Sequence, residues 1–238
     1  MMNLRIAAPR LLIDIARLPE LSAVAEDDDS VSLGAGVTHA AIEDARQPDP
    51  SRGLMARVAA GLAYRAIRNH GTIGGSLALS DPAAEWPAVL GALGAEAVLC
   101  GPAGRRSLKC TEFTTGIFET KLADDEIVES IRVPKLSTDA SWGYLKLCRK
   151  SGEFANALAV AVADPARGHY RIVLGAANGA PLLLGAAAQV LANNPGDREA
   201  MGSTIAADLD HAADRHFDSF QRNLLMVAAM RAVQQVTR

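Results

Sequence analysis

Three glycines fall within five residues, Gly71, Gly74 and Gly75, in the run Arg68-Asn69-His70-Gly71-Thr72-Ile73-Gly74-Gly75-Ser76-Leu77-Ala78, and no other stretch constrains this chain as tightly. Glycine tolerates positive φ and lets another group approach the backbone, so such a cluster interrupts a helix and makes a turn. On its amino-terminal side Leu54, Val58, Leu62 and Ala66 recur at the i, i+4, i+8 spacing of a helix face. That spacing predicts one helix from Gly53 to Ile67, stopping near Asn69. On the other side Asp81-Pro82 predicts the start of a second helix, with Asp81 as N-cap, Pro82 at the first helical position and Ala88, Val89, Leu90 and Leu93 in its body. Exposed amide N–H groups beside the hydroxyls of Thr72 and Ser76 have the chemistry of a pyrophosphate cradle. The turn could equally be structural, because it lacks the Gly-x-x-x-x-Gly-Lys pattern and no strand precedes it as a dinucleotide fingerprint requires.

Before this turn, Leu11-Leu12-Ile13-Asp14-Ile15 and Ser30 to Val37 read as strands, the second entered through the acidic turn Glu26-Asp27-Asp28-Asp29. Thr38 is placed to cap a short helix containing Glu43. After it, Glu96 to Cys100 and Arg106 to Lys109 form a hairpin about Gly101-Pro102-Ala103-Gly104, and Ile127 to Val133 is a strand ending at Pro134. Lys135 to Ala140 is polar, which divides the chain into domains 1–135 and 140–238. In the second, Trp142 to Cys148, Ala157 to Ala163 and Tyr170 to Ala176 read as antiparallel strands, and Gly185 to Ala192 and Phe217 to Val236 as helices. Strands first and helices last is an α+β order.

Composition removes several functions. With 24 Lys+Arg against 27 Asp+Glu the net charge is −3, and two Trp, three Tyr and five Phe are too few to build stacking platforms, so no nucleic-acid partner is expected. Three cysteines, Cys100, Cys110 and Cys148, match neither a disulfide framework nor a zinc or iron–sulfur ligand set. The apolar stretch after Arg5 and Arg10 is cut by Asp14, so no signal-peptide core is present and a cytoplasmic setting is expected. The uncharged run from Ile172 to Gly196 is broken by Asn178, Gly179 and Pro181, and is expected to be strand, turn, short strand and helix rather than a membrane span. Gly74-Gly75-Ser76-Leu77-Ala78 has the outline of a hydrolase nucleophile elbow, but Arg68-Asn69-His70 cannot supply the hydrophobic strand that must precede one. The five histidines show no metal spacing.

The run Ile67 to Ser76, followed by Ser80-Asp81-Pro82-Ala83-Ala84-Glu85-Trp86-Pro87-Ala88, resembles the second FAD-binding motif of the medium, flavoprotein subunit of molybdenum hydroxylases, the xanthine dehydrogenase and carbon monoxide dehydrogenase family. Collinear matches at Leu12-Ile13-Asp14-Ile15, Gly36 to Glu43, Asp125-Glu126-Ile127-Val128, Ile131 to Pro134, Tyr144-Leu145-Lys146 and Phe220 to Leu224 extend the likeness over nearly the whole chain. The resemblance implies a vanillyl-alcohol-oxidase-type FAD-binding domain, a small α+β carboxy-terminal domain, and one FAD between subdomains. Thr72, Ile73, Gly74, Gly75 and Ser76 would face the pyrophosphate, Glu85 the ribityl chain, and Lys146 and Val128 the flavin ring. From the residues alone Glu85 is as readily a helix-surface charge, Asp81 an N-cap that could also touch the cofactor, and Lys146 a solvated strand residue.

No residue in this reading does acid–base work on a substrate. The molybdopterin and the [2Fe–2S] clusters would reside on partner chains, a large and a small subunit, within a dimer of heterotrimers. The family's other cofactor loop, an Ala-Gly-Gly turn, would come before the segment matched by Met2-Asn3-Leu4-Arg5, so either the true start lies upstream of Met1 or the expected FAD-binding domain is amino-terminally truncated, with its first subdomain incomplete. The alternative is a flavin-free scaffold or assembly subunit of the same complex. Retention of Gly74, Gly75 and Lys146 speaks for the flavin.

Overall fold

The computed structural model describes residues 8–237; the segment Met2 to Arg5 lies outside them. Elements run α1 (Pro19–Ser22), β1 (Val24–Glu26), β2 (Ser30–Gly34), α2 (His39–Glu43), α3 (Leu54–Ala60), α4 (Arg65–Arg68), α5 (Ile73–Leu79) and α6 (Glu85–Leu93). There follow β3 (Glu96–Gly101), β4 (Gly104–Lys109), α7 (Cys110–Phe113), β5 (Thr114–Gly116), β6 (Glu119–Thr120) and β7 (Ile127–Pro134). The remainder is β8 (Ser141–Leu147), β9 (Ala157–Asp164), β10 (His169–Gly175), β11 (Leu182–Leu183), α8 (Gly185–Asn193), α9 (Arg198–His211) and α10 (Ser219–Val236). None of the described helices is long and apolar enough to cross a membrane.

Two antiparallel sheets dominate this mixed α and β architecture, one of five strands in the order β1-β2-β7-β3-β4 and one of four in the order β11-β10-β9-β8. The hairpin β3–β4 pairs Gly101 with Gly104 across Pro102-Ala103, as the glycine and proline spacing predicts. Helix α6 lies against strands of both sheets, and all nine of its residues are buried. A helix covered on every side has to be apolar wherever its side chains find no polar partner, which explains Trp86, Val89, Leu90 and Leu93 after the ion-paired Glu85 of its first turn. Strand β9 is buried along its whole length as well. Its Leu158, Val160 and Val162 join the core around α6, while Ala157, Ala159, Ala161 and Ala163 face the opposite way, packing with Ala228, Ala229 and Ala232 of α10. Period-two alternation thus assigns each β9 face to a different core, and small side chains let α10 sit close. The outer edge of β8 is closed by the Gln235 amide, which accepts from the Tyr144 N–H and donates to its carbonyl at 3.2 Å each.

Three expectations need correction. Leu11, Leu12 and Ile13 are not in a strand; they stand 74%, 66% and 75% exposed, and the sheet edge is taken by β1 instead. The helix expected from Gly53 to Ile67 is two helices, because Gly61 caps α3 and the chain turns through Ala63 at φ +37° before α4. Asp81 does not cap α6, which starts at Glu85; its Oδ1 accepts from the Ala83 N–H at 2.9 Å and so closes a turn around Pro82. Helix α9 is absent from the sequence reading.

Candidate functional site

The glycine-rich turn is built to hold α5 against the first sheet. The Ile73 N–H donates to the Val37 carbonyl and the Gly74 N–H to the Ala35 carbonyl, both at 3.0 Å. Thr72 caps the helix, its Oγ1 accepting from the Gly75 N–H at 3.0 Å, and the Ser76 N–H donates to the Thr72 carbonyl. The amides from Ile73 to Ser76 are therefore spent inside the protein, and the expected cradle of exposed N–H groups is not what the turn presents. Gly74 is glycine because Ala35 is there: a Cβ at position 74 would lie 2.3 Å from the Ala35 Cβ and 2.8 Å from its carbonyl oxygen. Gly75, by contrast, is exposed, and a Cβ there would come close only to Thr72 Oγ1.

Beside the turn opens a pocket of about 1020 Å³. One wall carries Gly71, Thr72, Gly75, Ser76, Asp81 and Glu85; the other comes from the β8–β9 connection and carries Arg149, Phe154 and Asn156. A parallel bridge between Leu62 and Gly152 joins the two walls. Gly152 has φ +84° and approaches Ala63 so closely that a Cβ would sit 2.7 Å from its carbonyl oxygen, so this junction depends on glycine. Tyr64, Ile67, Leu79 and Phe154 expose large apolar surfaces to the pocket. A cavity at the upper end of the small-ligand range, with apolar rings on its rim and hydroxyl, carboxyl and guanidinium groups between them, suits a long ligand that is flat and apolar at one end and polar along the rest.

Of the residues singled out in the sequence, the wall takes in Thr72, Gly75, Ser76, Asp81 and Glu85; Ile73, Gly74, Val128 and Lys146 lie behind it. Val128 is core, on β7. Lys146 Nζ donates to Glu85 Oε1 at 2.6 Å and to the Gly61 carbonyl at 3.3 Å, with both side chains of the ion pair almost fully buried. Burial pushes the Glu85 carboxyl above its ordinary range, against the pull of the Lys146 ammonium. Tyr144 shares this environment: burial first, and then the Glu85 carboxylate, push its phenol well above the usual range.

Arg68 is the other anchor. Its guanidinium grips both Glu43 oxygens, at 2.8 and 2.9 Å, and donates to the carbonyls of Leu62 and Ala63, tying the turn before α4 to α2. His39, at the start of α2, lies on the pocket wall and accepts through Nδ1 from the Trp86 indole N–H at 3.1 Å. Burial, then the positive charge of Arg68, lowers its pKa to about 4. Sequence reasoning noted His39 within a matched segment and among five histidines without metal spacing, and it missed Tyr64, Arg149 and Phe154, because the Leu62–Gly152 junction that gathers them spans 90 residues. Among the described residues Ser76 Oγ makes no hydrogen bond to a histidine, and no group of His, Cys, Asp and Glu side chains could hold a metal ion.

Two sheets share a buried helix, and the largely apolar pocket walled by the capped glycine turn has the size and lining that suit a large organic ligand. The profile of the family described as "FAD binding domain in molybdopterin dehydrogenase" matches residues 1–136. The nicotine 6-hydroxylase medium subunit of Paenarthrobacter nicotinovorans is 34% identical over 97% of this chain and 83% of its own length. The carbon monoxide dehydrogenase medium chain of Hydrogenophaga pseudoflava is 40% identical over 66% of this chain, a stretch that is 55% of that protein. A solved carbon monoxide dehydrogenase from the same organism, lacking the Mo-pyranopterin moiety of its molybdenum cofactor, superposes with a TM-score of 0.88 at 32% identity, covering 100% of this chain and 85% of that one. The chain belongs to the FAD-binding, medium-subunit family of the molybdenum hydroxylases.

Proposed function

We propose that this chain holds one FAD in the pocket beside Thr72 to Ser76 and serves as the electron-transfer subunit of a molybdopterin-dependent dehydrogenase or hydroxylase. The observation that carries the reading is the meeting of the family's glycine motif and an apolar-rimmed pocket large enough for a dinucleotide. FAD, when bound, supplies the capacity to collect electrons singly and release them as a pair. Ser76 offers a hydroxyl donor and Glu85 a carboxylate acceptor for sugar hydroxyls, while Tyr64, Ile67, Leu79 and Phe154 shield apolar ring surface from water. Ile73 and Gly74 set the position of that wall by their bonds to Val37 and Ala35. Asp81 fixes the turn that delivers Glu85. Lys146 and Val128, which the resemblance places beside the ring, act from behind: Lys146 holds the Glu85 carboxylate, and Val128 packs the strand beneath.

In this reading residues 1–135 form a vanillyl-alcohol-oxidase-type FAD-binding domain and residues 140–238 the family's carboxy-terminal domain. Electrons come from [2Fe–2S] clusters on a small partner subunit, which receives them from a molybdopterin-bearing large subunit, in a dimer of heterotrimers. The flavin-free scaffold is the competing reading, and the spent amides of α5 favour it; four large apolar side chains exposed around one concavity favour a bound flavin. Gly75→Leu separates them. It fills the pocket at an exposed position where the new Cβ meets only the capping Thr72 Oγ1, so the flavin reading expects loss of flavin from purified protein while the flavin-free chain still unfolds cooperatively, within about 4 °C of wild type. Unchanged flavin content would overturn the site.

A further inference from the structure

We propose that His39 is a ligand-contacting residue of this pocket, presenting Nε2–H as a neutral hydrogen-bond donor to a phosphate or sugar oxygen of the bound cofactor, and that Trp86 is the positioning residue that fixes this tautomer. The proposal rests on the FAD reading above and gives a ligand-contacting role to a residue that the resemblance matched without assigning it one. An indole N–H can only donate, so the 3.1 Å bond from Trp86 makes Nδ1 the acceptor and leaves the single ring proton on Nε2. Burial and the nearby Arg68 keep the ring uncharged at neutral pH.

The free edge of the ring is turned toward Gly71. A Cβ built at position 71 would lie 2.9 Å from both Cδ2 and Nε2, so the missing side chain there is what leaves this edge open, and Gly71 and His39 both line the pocket. Nε2 has no hydrogen-bond partner among the described residues. That edge opens into the pocket, where a ligand oxygen can take the place of water, and the neighbouring turn has no free amides from Ile73 to Ser76 to offer a polar ligand. Side-chain donors must supply that binding, and His39 is the one held in place from behind.

The test is an FAD titration of the full chain followed by flavin fluorescence, with His39→Leu, His39→Gln and Trp86→Phe alongside wild type. His39→Leu should weaken binding about tenfold or more, and His39→Gln, which can still donate from the same place, should stay within about threefold. Trp86→Phe frees the ring to exchange tautomers and should weaken binding about twofold, with imidazole ¹⁵N spectra changing from one protonated nitrogen, Nε2, to a mixture. In wild type the Nε2–H resonance should shift when FAD is added. That spectrum decides the matter even if a variant fails to fold. Equal affinities for Leu, Gln and wild type, or an Nε2–H resonance that FAD leaves unmoved while flavin binds, would overturn the proposal. A wild-type chain that binds no FAD would overturn the flavoprotein reading and this inference with it.

Discussion

Replacing Gly74 with alanine tests whether the glycine turn serves packing or the approach of a cofactor. The new Cβ would lie 2.3 Å from the Ala35 Cβ and 2.6 Å from its Cα, where carbon atoms normally rest about 3.5–4.0 Å apart, so α5 must retreat by more than about one ångström. That retreat breaks the Ile73–Val37 and Gly74–Ala35 hydrogen bonds, each 3.0 Å long. Two such bonds at about 1 kcal/mol each, with overpacking of at least about 1 kcal/mol, give a destabilisation of about 3 kcal/mol. For a chain of this size the melting temperature should fall by about 6–12 °C. Gly75→Ala is the comparison: its Cβ meets a single side-chain atom, the capping Thr72 Oγ1 at 2.9 Å, and the helix preference of alanine offsets a disturbed cap worth about 1 kcal/mol, so its melting temperature should fall by less than about 4 °C. The assay is thermal unfolding of flavin-free protein by circular dichroism. A Gly74→Ala chain that melts with wild type but fails to hold flavin would refute the packing explanation.

Other parts of the site make separate predictions. His39 has a folded pKa lowered to about 4 against an ordinary 6.5, so the unfolded chain takes up the proton first and stability falls with pH between those values, by about 2 kcal/mol from pH 7 to pH 5; urea unfolding should show this slope, and His39→Gln should flatten it. Lys146→Met leaves the Glu85 carboxylate buried without its cation, a loss of about 3–5 kcal/mol. Because the Glu85 pKa is raised, its protonated form escapes that penalty, so the variant should recover stability as pH falls and Glu85→Gln should rescue it; a Lys146→Met penalty independent of pH would contradict the buried pair. Arg68→Lys cannot reproduce the bidentate grip on Glu43 together with the bonds to Leu62 and Ala63, and should cost about 1–2 kcal/mol by the same unfolding assay.

How much of this was legible depends on whether the signal is local. The hairpin at Gly101 to Gly104, the strands β7 to β10 and the long helix α10 announce themselves through turn residues and alternation, and they stand where the sequence puts them within a residue or two. Asp81-Pro82 misled because the same residues close a turn as readily as they cap a helix. Helix α9 did leave a signal: Asp197 as N-cap, with Met201, Ile205 and Leu209 four residues apart, all buried. The pocket was half legible. One wall is a contiguous motif, but the other depends on the Leu62–Gly152 bridge, and no local pattern foretells that Tyr64 and Phe154 share a rim. The role of Lys146 was hidden for the same reason, since its partner Glu85 is 61 residues away.

The most direct test of the account is the identity and stoichiometry of flavin released by acid from protein purified from the cells that make it, scored by visible absorption and by mass. The account predicts FAD at close to one per chain, lost on Gly75→Leu while the fold persists. Purified protein with no flavin, or with flavin retained in that variant, would contradict the assignment of this pocket.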